Sequence, residues 1–367
     1  MGNYLLPIWV AILSFIVLSI LISFPYLAWK YHKQGSLTAW QVLVEYGMVF
    51  YLLAAFFMTL LPLPSVESVA NMTGPTHQLI PFQFVADFVR ETKLVITDPG
   101  TYGEALGQSV FYEPLFNLIL TLPFGVFLRY YYKKSLRFTV LASFFLSLFF
   151  ELTQLTGVYG IYPRAFRLFD VDDLMLNTLG GLLGYALTPL LVYFFPTREQ
   201  VDQKVAQKAQ KASLPRRLIA YGIDLAVVRL LIAFFIKSEL LIMFIFALVT
   251  AITMILTNGQ TLGERFVHIR VVSQTGDAPT PKQILIRQFS FYFLIHFIFT
   301  LFLLPIALAG ENIITLSIYL ALIGAYALFM LFHFVVRTIR GQRTYFYELL
   351  SKTHIVASPL QKQQNKS

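Results

Sequence analysis

Residues 164–185 hold the densest set of groups able to do chemistry: Arg164, Arg167, Asp170, Asp172 and Asp173, then Asn177 inside an apolar run. At 100° per residue, Asp173, Asn177, Gly180 and Gly184 fall on one helix face, with carboxylate and amide at its start and glycine further down. Two pairs precede it in the chain. Glu113 and Asn117 are four apart, and Glu151 and Gln154 are three apart. Such groups can line a polar site, exchange protons, or hydrogen-bond neighbouring helices as packing contacts. Neighbouring carboxylates can also split into acid and base. No nucleophile or metal-ligand spacing accompanies them, since the same region adds essentially only His77, so the balance leans against an enzyme while leaving it open, and no metal or other cofactor is expected.

The elements that must position these groups are membrane helices. Of 367 residues, 57% are hydrophobic and 13% charged, against about 25% charged in soluble domains. Cysteine is absent, which excludes disulfides and thiolate sites. The net charge of +9 fits lysines and arginines gathered on the cytoplasmic side, and no nucleic-acid partner is expected. Nine apolar runs are long enough to span a bilayer: about 5–29, 39–62, 112–132, 136–157, 173–195, 217–236, 239–257, 288–309 and 313–336. Basic residues cluster in alternate connections, for example Lys133, Lys134 and Arg137, whereas Glu67, Asp87, Glu91, Asp98 and Glu104 lie on the other side. The expected fold is an all-α integral membrane protein of about nine transmembrane helices in two helical bundles, N-terminus outside and C-terminus inside.

Within that topology Asn117, Glu151 and Asn177 share one depth, on the order of 6–9 Å below the outer surface. Asp in mid-membrane costs about 2.5–3.5 kcal/mol, so their agreement in depth points to a pocket between three helices. Interhelical hydrogen bonds as packing glue remain the plainer reading. Arg164 and Arg167, in the adjoining outer loop, are the expected counter-charges. Gly180, Gly181 and Gly184 suit close helix packing, Gly180 and Gly184 at the GxxxG spacing. The polar segment 196–213 reads as a cytoplasmic linker between a five-span domain, 1–195, and a four-span domain, 214–350, followed by a polar tail, 351–367. Residues 79–89 read as an interfacial segment, and 265–277 as a small cytoplasmic strand or hairpin.

The first half resembles the VanZ-like family over about 40–195. The resemblance rests on Leu79-Ile80-Pro81-Phe82, Asn117 with Pro123-Phe124-Gly125, Glu151-Leu-Thr-Gln154, Arg167, and Asp170-x-Asp172-Asp173 with Asn177 and the glycines. It implies protection of the cell envelope against glycopeptide or lipoglycopeptide antibiotics of the teicoplanin type. The implied residues are Asn117, Glu151, Gln154, Arg167, Asp173 and Asn177. The expected partners are membrane lipids, with an outer-leaflet amphiphile, a lipid-linked wall precursor or the lipoglycopeptide as ligand. The second half is similar to the RDD family over about 214–350, on Arg216-Arg217 with Asp224, Gly259-Gln-Thr-Leu-Gly263, Ile269-Arg-Val-Val and Arg287. It departs from that family's pattern at Glu264 and Ser273. Its implied residues are Arg217, Asp224 and Arg287, with either arginine as the expected partner of Asp224, and it supplies the alternative function of transport or ion exchange. Oligomeric state is left open.

Overall fold

A computed structural model describes residues 5–232, 236–291 and 345–358, with isolated positions between 314 and 336. Two compact units divide the chain: Met1–Ser23 with Thr38–Asp202, and Phe24–Leu37 with Gln203–Ser367. The first long helix, α1 (Leu5–Gln34), therefore contributes to both.

In the first unit, α2 (Ala39–Leu60) opens on a capping box between Thr38 and Gln41. The loop that follows holds α3 (Val66–Ala70), β1 (His77–Gln78), α4 (Gln83–Glu91) and α5 (Tyr102–Leu106). The helices α6 (Ser109–Tyr130), α7 (Leu136–Leu155) and α9 (Val171–Leu191) form the heart of the unit. Between α7 and α9 lie the single turn α8 (Gly157–Gly160) and β2 (Phe169–Asp170), which pairs in parallel with β1. That pairing ties the long loop to the start of α9. Thr121, Ser143 and Ser147 are fully buried, small polar residues where three helices meet. At Gly184 an added Cβ would come 2.8 Å from the Leu122 carbonyl carbon, and at Gly180 2.9 Å from that of Leu118. α9 thus lies backbone to backbone on α6, as the GxxxG spacing implied, while Gly181 faces Ser143 of α7.

After α10 (Arg198–Ala209), the second unit continues with α11 (Leu214–Ile232), α12 (Glu239–Leu256), the short α13 (Leu262–Phe266) and β3 (Ile269–Ser273). The strand expected near 265–277 is present, but its partner is distant. β3 pairs antiparallel with β4 (Thr353–Ala357), which follows α14 (Phe346–Ser351). Part of the segment read as a polar tail is therefore strand. Apolar side chains at Ala28, Tyr31, Ile219, Ala220, Val267 and Ile269 pack as this unit's core.

Among the described residues five helices, namely α1, α2, α6, α7 and α9, are long and apolar enough to cross a membrane. α12 is a shorter apolar helix. α11 carries Arg216, Arg217, Asp224 and Arg229, so it is less apolar than these. The runs expected to span at 288–309 and 313–336 lie largely outside the described residues.

Candidate functional site

The polar stripes of α6, α7 and α9 meet through side chains one helical turn apart. α6 presents Glu113, Asn117 and Thr121, α7 presents Ser147 and Glu151, and α9 presents Asp173 and Asn177. Asn117 Nδ2 donates to Asp173 Oδ1, and Thr121 Oγ1 donates to the Asn177 carbonyl. Asn177 Nδ2 donates to Ser147 Oγ at 3.0 Å, and Ser147 Oγ donates to the Asp173 carbonyl at 3.2 Å. A hydroxyl has one proton. With that proton on the Asp173 carbonyl, Ser147 must accept from Asn177, which fixes the amide orientation and leaves Asn177 Oδ1 buried without a partner.

Above this network opens a cavity of about 640 Å³. Asn117, Glu151, Gln154, Arg167, Asp173 and Asn177 all line it, so six of the seven residues selected from sequence are brought together. Glu151 and Asn177 are each only 3% exposed. One carboxylate oxygen of Glu151 accepts the Asp170 N–H at 2.9 Å, and Gln154 Nε2 donates to the Thr59 carbonyl at 2.7 Å, tying α7 to the end of α2.

Arg164 is the exception. Its guanidinium donates to the carbonyls of Met72 and Gly74 and does not line the cavity. It braces the long loop rather than neutralising the carboxylates. Arg167 does line the cavity, but among the described residues it makes no ion pair, and it is exposed. Arg167 is near enough to act as an opposite charge on Glu151 and Asp173 without a direct ion pair, so of the two expected counter-charges only Arg164 is placed elsewhere.

Further wall residues were not selected as site residues from the sequence. Asp172, 2% exposed, accepts the N–H groups of Phe82 at 2.6 Å and Phe84 at 2.9 Å, anchoring the start of α4 to the start of α9. Asp170 caps α9 by accepting the Asp172 N–H at 2.8 Å. Burial pushes the Asp170 carboxyl above its ordinary range, and the Asp172 N–H opposes this. Gln83 and Asp87 on α4 and Glu113 on α6 complete the wall. The Asp170-x-Asp172-Asp173 spacing was the available signal. It did not say which carboxylate would cap, which would anchor α4 and which would face the cavity.

In the second unit Asp224 pairs with neither arginine. It accepts from Thr261 Oγ1 at 2.5 Å and from the Gly263 N–H at 2.7 Å, holding the start of α13. Arg217 and Arg287 instead reach Glu348, at 3.1 and 3.6 Å, whose side chain is completely buried. Arg287 also donates to Thr353 Oγ1 at 3.1 Å. Arg216, fully buried, donates to the carbonyls of Ala209, Val267 and His268. A cavity of about 350 Å³ lies here, with Asp224, Glu264, Arg217 and Arg287 on its wall.

Residues 48–195 match the profile of the family described as VanZ/LLP1, and residues 211–347 match that of the RDD family. The chain carries a VanZ-like domain and an RDD domain in tandem. It is a membrane protein. The cavity and its three-helix network fall inside the VanZ-like match, and Asp224, Arg217 and Arg287 inside the RDD match. Glu348 lies one residue past the latter. No match was found among curated proteins or solved structures.

Proposed function

We propose that the VanZ-like cavity opens to the outer face of the cell membrane and engages the headgroup of an outer-leaflet amphiphile. A lipid-linked wall precursor or a lipoglycopeptide of the teicoplanin type fits that description, and binding it protects the envelope. The observation that carries the reading is Asn177 Oδ1, a buried acceptor without a partner, on the wall of a cavity built by three apolar helices. Packing glue satisfies its own groups, and an orphaned acceptor costs about 1–3 kcal/mol, so this one awaits a donor from a ligand. α4 supports an interfacial position. Gln83 and Asp87 line the cavity, while Phe82, Val85 and Val89 are exposed on the same helix and its N-cap. Arg167, the sole basic residue on the wall among those described, suits a phosphate at the mouth.

The transport alternative has weaker support. Asp224, Glu264, Arg217 and Arg287 around the second-unit cavity all have partners within the protein. The test is Glu151→Gln in cells challenged with a lipoglycopeptide. Gln keeps the volume and removes the charge, so protection should be lost at unchanged membrane abundance. Full protection at wild-type abundance returns the network to a packing role.

A further inference from the structure

Resting on that cavity as a ligand site, its chemistry narrows the ligand further. We infer that the cavity seats a primary ammonium group, carried on an amphiphile whose phosphate meets Arg167 at the mouth.

Six carboxylates line the cavity against one cation. One of the six is fully committed and two are partly so. Both oxygens of Asp172 accept backbone N–H groups of the α4 start. Asp170 takes the Asp172 N–H and Gln78 Nε2 on one oxygen, and Asp87 takes Gln83 Nε2 and the Arg90 guanidinium, at 2.6 Å, on one oxygen. The other three retain free capacity. Glu151 uses one oxygen on the Asp170 N–H, Asp173 uses one on Asn117, and Glu113 has no hydrogen bond or ion pair among the described residues. Together with Asn177 Oδ1, the capacity left over is in acceptors spread across three helices.

A ligand for such a wall must bring donors and positive charge. An anion alone meets only Arg167, and a neutral hydroxyl has one proton for several acceptors. Among the described residues no three His, Asp or Glu side chains are grouped to hold a metal ion. A primary ammonium is compact and has three N–H groups that can point to three separate helices, whereas a guanidinium is a planar fork suited to one carboxylate. Asn177 and Asp173 lie one turn apart on α9, with Glu151 on α7 and Glu113 on α6 flanking them, so the ammonium sits deep. Arg167 is exposed, so the phosphate of the same headgroup sits outside it.

The test uses the full-length chain, purified from membranes containing phosphatidylethanolamine, phosphatidylcholine and phosphatidylglycerol in equal amounts, with co-purifying lipid quantified by mass spectrometry. Phosphatidylethanolamine should be enriched by about tenfold over phosphatidylcholine, the factor expected of one charge-assisted hydrogen bond. Choline keeps the charge but has no N–H, so this comparison reads the donors, and phosphatidylglycerol reads the charge. Glu151→Gln should erase the enrichment. Glu113→Gln, at an exposed position on the wall, should weaken it even if the Glu151 variant misfolds. Phosphatidylglycerol enriched instead, and released by Arg167→Gln, overturns the ammonium while leaving the cavity as a ligand site. No lipid enriched at all overturns both. Stripping of the lipid by an equal concentration of free ethanolamine overturns the amphiphile and makes the occupant a soluble amine.

Discussion

Gly184→Ala isolates the contact on which the site depends. An ideal Cβ there would lie 2.8 Å from the Leu122 carbonyl carbon, where carbon atoms prefer about 3.5–4.0 Å. The shortfall is roughly 0.7–1.2 Å, and backbone rather than a flexible side chain must give way. Overpacking of this kind costs about 1–3 kcal/mol, and exchanging a helical glycine for alanine recovers about 0.5–1 kcal/mol. Because the Leu122 carbonyl oxygen would lie closer still to that Cβ, the cost falls at the top of the range or above it, and the net loss is at least about 2 kcal/mol. Gly47 on α2 is the matched control, because a Cβ there meets only Phe127 Cζ at 3.9 Å, an ordinary contact. Gly47→Ala should gain about 0.5–1 kcal/mol. In thermal unfolding of the purified protein, Gly184→Ala should melt several degrees below the parent and Gly47→Ala slightly above it. If Gly184→Ala melts at or above the parent, α6 and α9 do not meet backbone to backbone and the cavity floor is wrongly placed.

Two further outcomes follow from the same picture. Single cysteines at Ser65 and Thr101 should react with an impermeant label added to intact cells, and cysteines at Gln207 and Gln274 should not; reaction at Gln207 would reverse the orientation. Burial raises the Glu264 carboxyl from 4.5 to about 7, against the opposing effect of Arg287. A raised carboxyl binds its proton more tightly in the folded state, so its contribution to stability is complete below 4.5 and is lost as pH rises to about 7. Glu264→Gln should make the fall in melting temperature across that window shallower, whereas a pH dependence that Glu264→Gln leaves unchanged would contradict the assignment.

Much of the VanZ-like site was legible because membrane helices leave few choices. Polar residues at i and i+4 in an apolar run share a face, and their common depth predicts convergence, which is how Asn117, Glu151, Asp173 and Asn177 could be grouped. The loop contributions were not legible. Arg164 bonds to the carbonyls of Met72 and Gly74, and Asp172 to the N–H groups of Phe82 and Phe84. Backbone groups are the same at every residue, so nothing in the sequence marks such partners. Proximity alone made Arg164 look like a counter-charge. In the RDD domain, Glu348 lies more than 120 residues along the chain from Arg217, which donates to it, and among the described residues the β3–β4 pairing draws its segment near. Asp224 was misassigned because hydroxyl and amide donors next to a helix start compete with an arginine for a buried carboxylate, and here they are closer. The glycines were the most predictable element, since only a missing side chain permits the α6–α9 approach.

A ligand site in the space between α6, α7 and α9 is best tested by an experimental density map of the full-length protein purified with its native lipid. Elongated density should lie between these helices, with its polar end within hydrogen-bond distance of Asn177 Oδ1 and the Asp173 carboxylate. A map in which only water or repacked side chains meet Asn177 Oδ1, with lipid confined to the outer surface of the bundle, would contradict it.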